Sequence, residues 1–208
     1  SDSSFIISGS SDRSIGVWDL KNKRLLHRFE SVHSWSILSL TVTSDCMYII
    51  SGSQDKSLSV RNINCKKFVH RFEYAHNDHI ASVATTNDSR YIVSGSKDKS
   101  LGVWDLQTQK LVRRVETDEI TSLAVSVDSR LVVSGFSDAS IGLWDFQDMT
   151  LIHRFENAHT ELIKSVAIAP NVSFIVSGSW DKSVAIWDVE EKELIHRFEN
   201  AHSWWITS

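Results

Sequence analysis

The chain is poor in the residues that usually punctuate or cross-link a fold. Its 208 residues include one proline, Pro170, and two cysteines, Cys46 and Cys65. The cysteines show neither disulfide nor metal-ligand spacing, so no cross-linked framework and no metal site is implied. A reducing intracellular compartment is the matching expectation, cytoplasmic and with a cytoskeletal association left open. No run of eighteen apolar residues occurs, so no membrane insertion is expected. Lys and Arg number 22 against 26 Asp and Glu, a net charge of -4, and no basic run exceeds a few residues. That balance speaks against a nucleic-acid partner. No segment keeps a helical hydrophobic period, and no glycine-rich loop precedes a helix, so a phosphate cradle is excluded and no cofactor is implied. The chain opens without Met or a signal peptide. Ser1 to Phe5 align with Ser44 to Tyr48, the middle of a repeat, so a fragment of a longer chain is expected.

What the chain does have is periodicity. Trp-Asp recurs at Trp18-Asp19, Trp104-Asp105, Trp144-Asp145 and Trp187-Asp188, with a fifth copy overwritten as Arg61-Asn62. The steps are 43, 43, 40 and 43 residues, and a Ser-Gly pair stands upstream of every copy, at Gly9, Gly52, Gly95, Gly135 and Gly178. Within the third copy, Ile80 to Ala84, Tyr91 to Val93, Ser100 to Trp104 and Leu111 to Val115 read as four short strands separated by polar turns. Strands of about five residues with turn signals every 8–12 residues make an antiparallel meander. A repeat of this length, built of four strands, is the signature of a β-propeller blade. The fold class is therefore all-β, with about five four-stranded antiparallel blades in one domain over residues 1–208.

The expected blades are 1–30 plus 202–208, 33–73, 76–116, 117–156 and 159–199. The first is permuted: the C-terminus would supply the start of its first strand and the N-terminus the other three. Two structures fit this tiling. The ends meet in one shared blade and close a five-bladed ring, or the chain is an arc of a larger ring. Each fourth strand carries charge, as in His70-Arg-Phe-Glu73 and His153-Arg-Phe-Glu156. Charged residues on an outer edge block edge-to-edge pairing. A docking rim is the other reading.

The period, the Ser-Gly-Ser-x-Asp turn, the Trp-Asp strand end and the Ala-His before the next strand resemble the WD-repeat β-propeller family over the whole chain. The resemblance implies a buried tetrad in each blade, in which a His bonds the turn Asp and a Ser, and that Ser accepts from the Trp indole. Two sets carry over complete: His76, Ser94, Asp98, Trp104 and His159, Ser177, Asp181, Trp187. A third, His202 with Ser8, Asp12 and Trp18, forms only on closure. Blade two keeps His33, Ser51 and Asp55 but has Arg61 for Trp. Blade four keeps Ser134, Asp138 and Trp144 but loses its His in the deletion around Thr117-Asp118-Glu119. An unpaired buried polar group costs about 1–3 kcal/mol, so blades two and four are expected to be the least stable. The Asp-His-Ser trio also suggests a nucleophilic triad, but a constellation repeated in blade after blade points to structure. No catalytic residue is expected. The pair His76 and His79 suggests zinc, yet no carboxylate or Cys repeats the spacing.

The resemblance also implies a contact face, formed by the residue before each turn Asp and the residue entering each first strand. The first set is Ser11, Gln54, Lys97, Ser137 and Trp180. The second is Ser36, His79, Glu119, Leu162 and Trp205. Most are polar and differ between blades, whereas Trp180, Leu162 and Trp205 are large and apolar and lie side by side by repeat geometry. The candidate partner-binding residues are thus Trp180, Trp205, Leu162, His79, Gln54, Lys97 and Glu119, since aromatic anchors dominate binding hot spots. A structural use of the same cluster, with Trp180 lying flat on its neighbour, stands beside that reading. The function expected is a non-enzymatic protein–protein interaction scaffold that presents a propeller face to proteins or peptides within a multiprotein complex. The alternative is a recognition or structural module of a larger multidomain enzyme or of a cytoskeletal or ciliary assembly.

Overall fold

The computed structural model describes residues 4–207. They form an all-β chain of five antiparallel sheets in sequence order, the arrangement of five propeller blades. Blade one has β1 (Phe5–Gly9), β2 (Ile15–Asp19) and β3 (Arg24–Phe29). Blade two has β4 (Ile37–Val42), β5 (Tyr48–Ser53), β6 (Leu58–Asn62) and β7 (Phe68–Phe72). Blade three has β8 (Ile80–Thr85), β9 (Tyr91–Ser96), β10 (Ser100–Asp105) and β11 (Lys110–Glu116). Blade four has β12 (Ile120–Val125), β13 (Leu131–Phe136), β14 (Ile141–Asp145) and β15 (Leu151–Phe155). Blade five has β16 (Ile163–Ile168), β17 (Phe174–Ser179), β18 (Val184–Asp188) and β19 (Leu194–Phe198). Each sheet is a plain meander, so every blade is built from contacts close in sequence.

The core lies between blades. Leu58, Val60 and Phe72 of blade two pack on Ile80, Val83 and Ile92 of blade three, and the same layer recurs at the other junctions. The Ser-Gly pair explains how close the sheets come. A Cβ on Gly52 would sit 2.6 Å from the Cγ2 of Ile80 and 3.0 Å from Val83, so only glycine lets the next inner strand seat there. Inner strands are also laced together by side chains. The Oγ of Ser39 accepts the Val83 N–H at 3.0 Å, Ser82 that of Leu123 at 3.0 Å, and Ser122 that of Val166 at 3.1 Å.

The two ends depart from the expected shared blade. Among the described residues β1 pairs only with β2, and blade one is a three-stranded sheet. Residues 202–207 form no strand. They lie instead on blade five, where the His202 and Ile206 amides donate to the carbonyls of Lys182 and Ser179, each at 3.3 Å. Ile206 covers Gly178 as Ile80 covers Gly52. The segment thus occupies on blade five the place that the first-strand entries take at the other junctions, and among the described residues it is not paired with β1.

Candidate functional site at the channel mouth

The turn between the second and third strands of each blade is set by its Asp. In blade three, Asp98 Oδ1 accepts the Ser100 amide at 3.0 Å and the Ser100 hydroxyl at 2.7 Å, while Lys99 takes a left-handed φ of 63°. That geometry leaves the other carboxylate oxygen free for His76, whose Nδ1 lies 3.1 Å away. His76 Nε2 meets Ser94 Oγ at 2.7 Å, and the Trp104 indole N–H donates to the same Oγ at 2.8 Å. Trp104, Ser94, His76 and Asp98 thus form one continuous chain of hydrogen-bonded side chains. Blade five repeats this: His159 lies 2.8 Å from both Asp181 and Ser177, and Trp187 donates to Ser177 at 2.9 Å. Burial would raise the Asp98 carboxyl. Hydrogen bonds from His76, Ser100 and the Asn77 amide outweigh it and hold the group well below the ordinary carboxylate range. In His159 burial wins over Asp181 and pushes the imidazole below its usual value. Ser94 and Ser177 are fully buried and already accept an indole N–H, so these trios clamp the blade and offer no exposed nucleophile.

The deviant blades differ from one another. In blade four Phe136 stands where the other four blades have Ser10, Ser53, Ser96 and Ser179. Its ring is fully buried and reaches the Ser134–Gly142–Trp144 corner, where His76 sits in blade three. Arg154 lies over that ring at 4.9 Å, bonds Asp118 at 2.7 Å and pairs with Asp138. The expected hole is thus filled. Blade two keeps His33 on Ser51 and Asp55 at 2.8 and 3.1 Å. Arg61, however, lies between Phe29 and Phe68, 5.9 and 5.1 Å from the ring centroids, and its buried Nε has no partner. Burial and the charge of Arg71 both push its pKa down.

The third expected set is also corrected. Trp18 donates to Ser8 at 2.9 Å and Asp12 bonds Ser14 and Arg28, but His202 is exposed and joins neither Ser8 nor Asp12. Its backbone is held on blade five, and among the described residues no first strand pairs with β1. A cavity of about 200 Å³ lined by Ser8, Asp12 and Trp18 opens at that place.

One component of the clamp is missed by reading the fourth strands as solvent-facing charge. Their arginines reach back over the blade to the turn Asp. Arg71 meets Asp55 at 2.8 Å, Arg28 meets Asp12 at 2.6 Å, and Arg114 and Arg197 stand 3.6 and 3.7 Å from Asp98 and Asp181. The preceding His leans edge-on against the Phe two residues on, as His70 does on Phe72 at 4.5 Å. The signal was available, since His-Arg-Phe-Glu recurs in step with the Asp turn.

Freed of that structural work, the remaining turn positions gather at one opening. Gln54, His79, Lys97, Glu119, Leu162 and Trp180 line a single cavity of about 290 Å³ where the second-to-third-strand turns meet the first-strand entries. Six of the seven candidate residues thus share one site. The seventh, Trp205, stands behind it, stacked on Trp180 with centroids 4.6 Å apart and planes 11° off parallel. Trp204 leans on Trp205 at 5.3 Å. The three indoles form one slab, with Trp205 and Trp204 still 48% and 66% exposed. Lys97 reaches Glu119 at 3.6 Å.

Four further lining residues stand at irregular strand positions, and three of them, Leu38, Ala81 and Thr121, escape a strand-pattern reading. Leu38, Ala81, Thr121 and Lys164 are the extra residues at the register shifts in β4, β8, β12 and β16. A β-bulge re-aims a side chain, and here one from each of blades two to five is turned to the mouth. Among the described residues no cluster of three or more His, Cys, Asp or Glu is placed to hold a metal ion.

Comparison with known families agrees with this architecture. The family model for the WD domain, G-beta repeat, matches residues 1–19, 23–62, 66–105, 109–145 and 149–188. The chain belongs to the WD-repeat family, whose repeats generally serve as scaffolds for protein–protein interaction. A comparison with curated proteins gave no match.

Proposed function

We propose that this chain is a non-enzymatic scaffold that holds a protein or peptide partner at the channel mouth, as one member of a multiprotein complex. The observation that carries the reading is convergence. The positions that vary between blades and take no part in the clamps gather around one opening, beside a slab of three tryptophans of which Trp204 and Trp205 are exposed. Clusters of exposed aromatic surface are rare on monomeric proteins and favour association. Leu38, Leu162 and Trp180 would bury apolar side chains of the partner, and Lys164 and the Lys97–Glu119 pair would set its polar register. An intracellular, cytoplasmic setting belongs to the same proposal and is checked by imaging the tagged protein.

The test is partner identification by proximity labelling with the wild type and with W205A and L38S. A set of neighbours lost in both variants, with the melting temperature held, supports the reading. Unchanged neighbours beside a lowered melting temperature would make the tryptophan slab structural and sink it.

A further inference from the structure

The clefts between blades on the opposite face repeat too, so each is a control for the next. They are lined by the other ends of the strands: the turns between first and second strands and between third and fourth. The cleft between blades three and four has a volume of about 360 Å³. Its floor is apolar, with Tyr91 and Phe146 5.7 Å apart, and with Val103 and Met149 buried beneath the opening. Val112, on the outer strand, is 56% exposed at its edge.

Two exposed arginines, Arg113 and Arg130, flank this floor, and neither is ion-paired among the described residues. Arg113 donates to the Asp148 carbonyl. The neighbouring acids hold hydroxyls, Asp128 that of Ser126 at 2.5 Å and Asp148 that of Thr150 at 2.7 Å, and they act on Arg130 and Arg113 through space without an ion-pair contact. The sister cleft between blades two and three, about 540 Å³, is built differently. There Arg90, the repeat-equivalent of Arg130, is tied to Asp105 at 3.1 Å and lies on Tyr91. Gln109 replaces Met149, Asp45 and Asp88 line the wall, and the equivalent of Arg113 is His70. Of these two clefts, only the one between blades three and four combines an apolar floor with arginines that form no ion pair among the described residues. A planar guanidinium fork matches a carboxylate in two hydrogen bonds, and two forks on one rim favour an acidic ligand strongly.

We propose that the cleft between blades three and four docks an extended peptide segment in which an acidic residue adjoins a bulky aliphatic one. The aliphatic side chain enters between Tyr91, Phe146 and Met149, and the carboxylate lies between Arg113 and Arg130. This surface is separate from the channel mouth.

The test is fluorescence anisotropy with the labelled hexapeptide Gly-Leu-Asp-Leu-Asp-Gly and its amide counterpart Gly-Leu-Asn-Leu-Asn-Gly, titrated with the 208-residue chain. The acidic peptide is expected to bind saturably, and the amide peptide at least tenfold more weakly (order-of-magnitude expectation from charge-assisted hydrogen bonds, roughly tenfold per arginine). The double variant R113H/M149Q installs residues that the sister blade already carries, and R130Q changes one exposed side chain. Each is expected to lose roughly tenfold or more in affinity. Absent binding, equal binding of the two peptides, or binding that survives both variants overturns the proposal. Binding lost in W180A but kept in both cleft variants places the peptide at the channel mouth and overturns it as well.

Discussion

Blades two and four both break the repeat, and they break it in opposite ways. Blade four loses a polar side chain and fills the space with an apolar ring. Phe136 replaces a serine, packs against Ser134 and Trp144, and lies under Arg154, whose guanidinium meets Asp118 as well as Asp138 and Glu156. Blade two loses an apolar side chain and gains a charge. Arg61 rests between two phenylalanines, its Nε buried and unpaired, with a second arginine close enough to depress its pKa. A lost hydrogen-bond partner is tolerable where the volume is refilled and the surviving groups are re-paired. A charge brought into the same layer without a counter-ion is not so compensated. Blade two therefore remains the blade expected to be weak, now on account of Arg61, and blade four is expected to lie close to the intact blades.

The largest effect on this contrast is expected from F136A, which empties the filled site. Truncating a fully buried Phe costs about 3–5 kcal/mol, read as a fall in the denaturation midpoint. F136S, which restores the residue of the other blades, is expected to cost nearly as much, because no His is present to use it. Next comes the carboxylate pair. Asp98 has a side chain 5% exposed and Asp138 one 45% exposed. D98A strands His76 and Arg114 and is expected to cost about 3 kcal/mol, while D138A costs under about 1 kcal/mol. Equal losses would mean that the clamp of blade three is no tighter than that of blade four.

Smaller and of opposite sign is R61W. It removes the unpaired guanidinium and returns an indole donor to Ser51, and is expected to stabilise by about 1–2 kcal/mol. Calorimetry showing a lower melting temperature would instead make Arg61 a favourable cation between two rings. The mildest effect is that of pH near neutrality. His159 titrates below its ordinary value of 6.5, and Asp55, Asp98 and Asp181 below 3.8. For each group the unfolded chain binds more protons than the folded one, so stability rises with pH. The His159 contribution is present above pH 6.5 and fades as pH falls through the folded value. The aspartate contributions are present above pH 3.8 and are lost on further acidification. Melting temperatures should decline slightly from pH 7 to 5 and steeply below 4, and an H159Q variant should lose only the first phase.

The strand pattern, the turn chemistry and two complete clamps were legible in the residues because each repeat is local and every copy checks the others. Six of the mouth residues were legible for the same reason: they sit at positions the repeat leaves unconstrained. What escaped did so for separate physical reasons. Leu38, Ala81 and Thr121 lie on bulges, and an extra residue in a strand breaks the alternation by which facing is read. The clamp arginines stand on edge strands, where charge ordinarily means solvent, yet the side chain is long enough to return to the turn Asp. Phe136 breaks the Ser-Gly-Ser turn of blade four, and its depth shows that it fills the site of the missing His. His202 fits its repeat position, but its backbone rests on blade five, and among the described residues the segment is not paired with β1.

The most direct test of the contrast between an uncompensated and a compensated blade is hydrogen exchange resolved by blade, comparing the amides of β5 and β6 with those of β13 and β14. These are second and third strands, covered on both edges by their own sheets. Blade two is expected to exchange faster than blade four, and blade four at close to the rate of blade three. Faster exchange in blade four than in blade two would contradict the account.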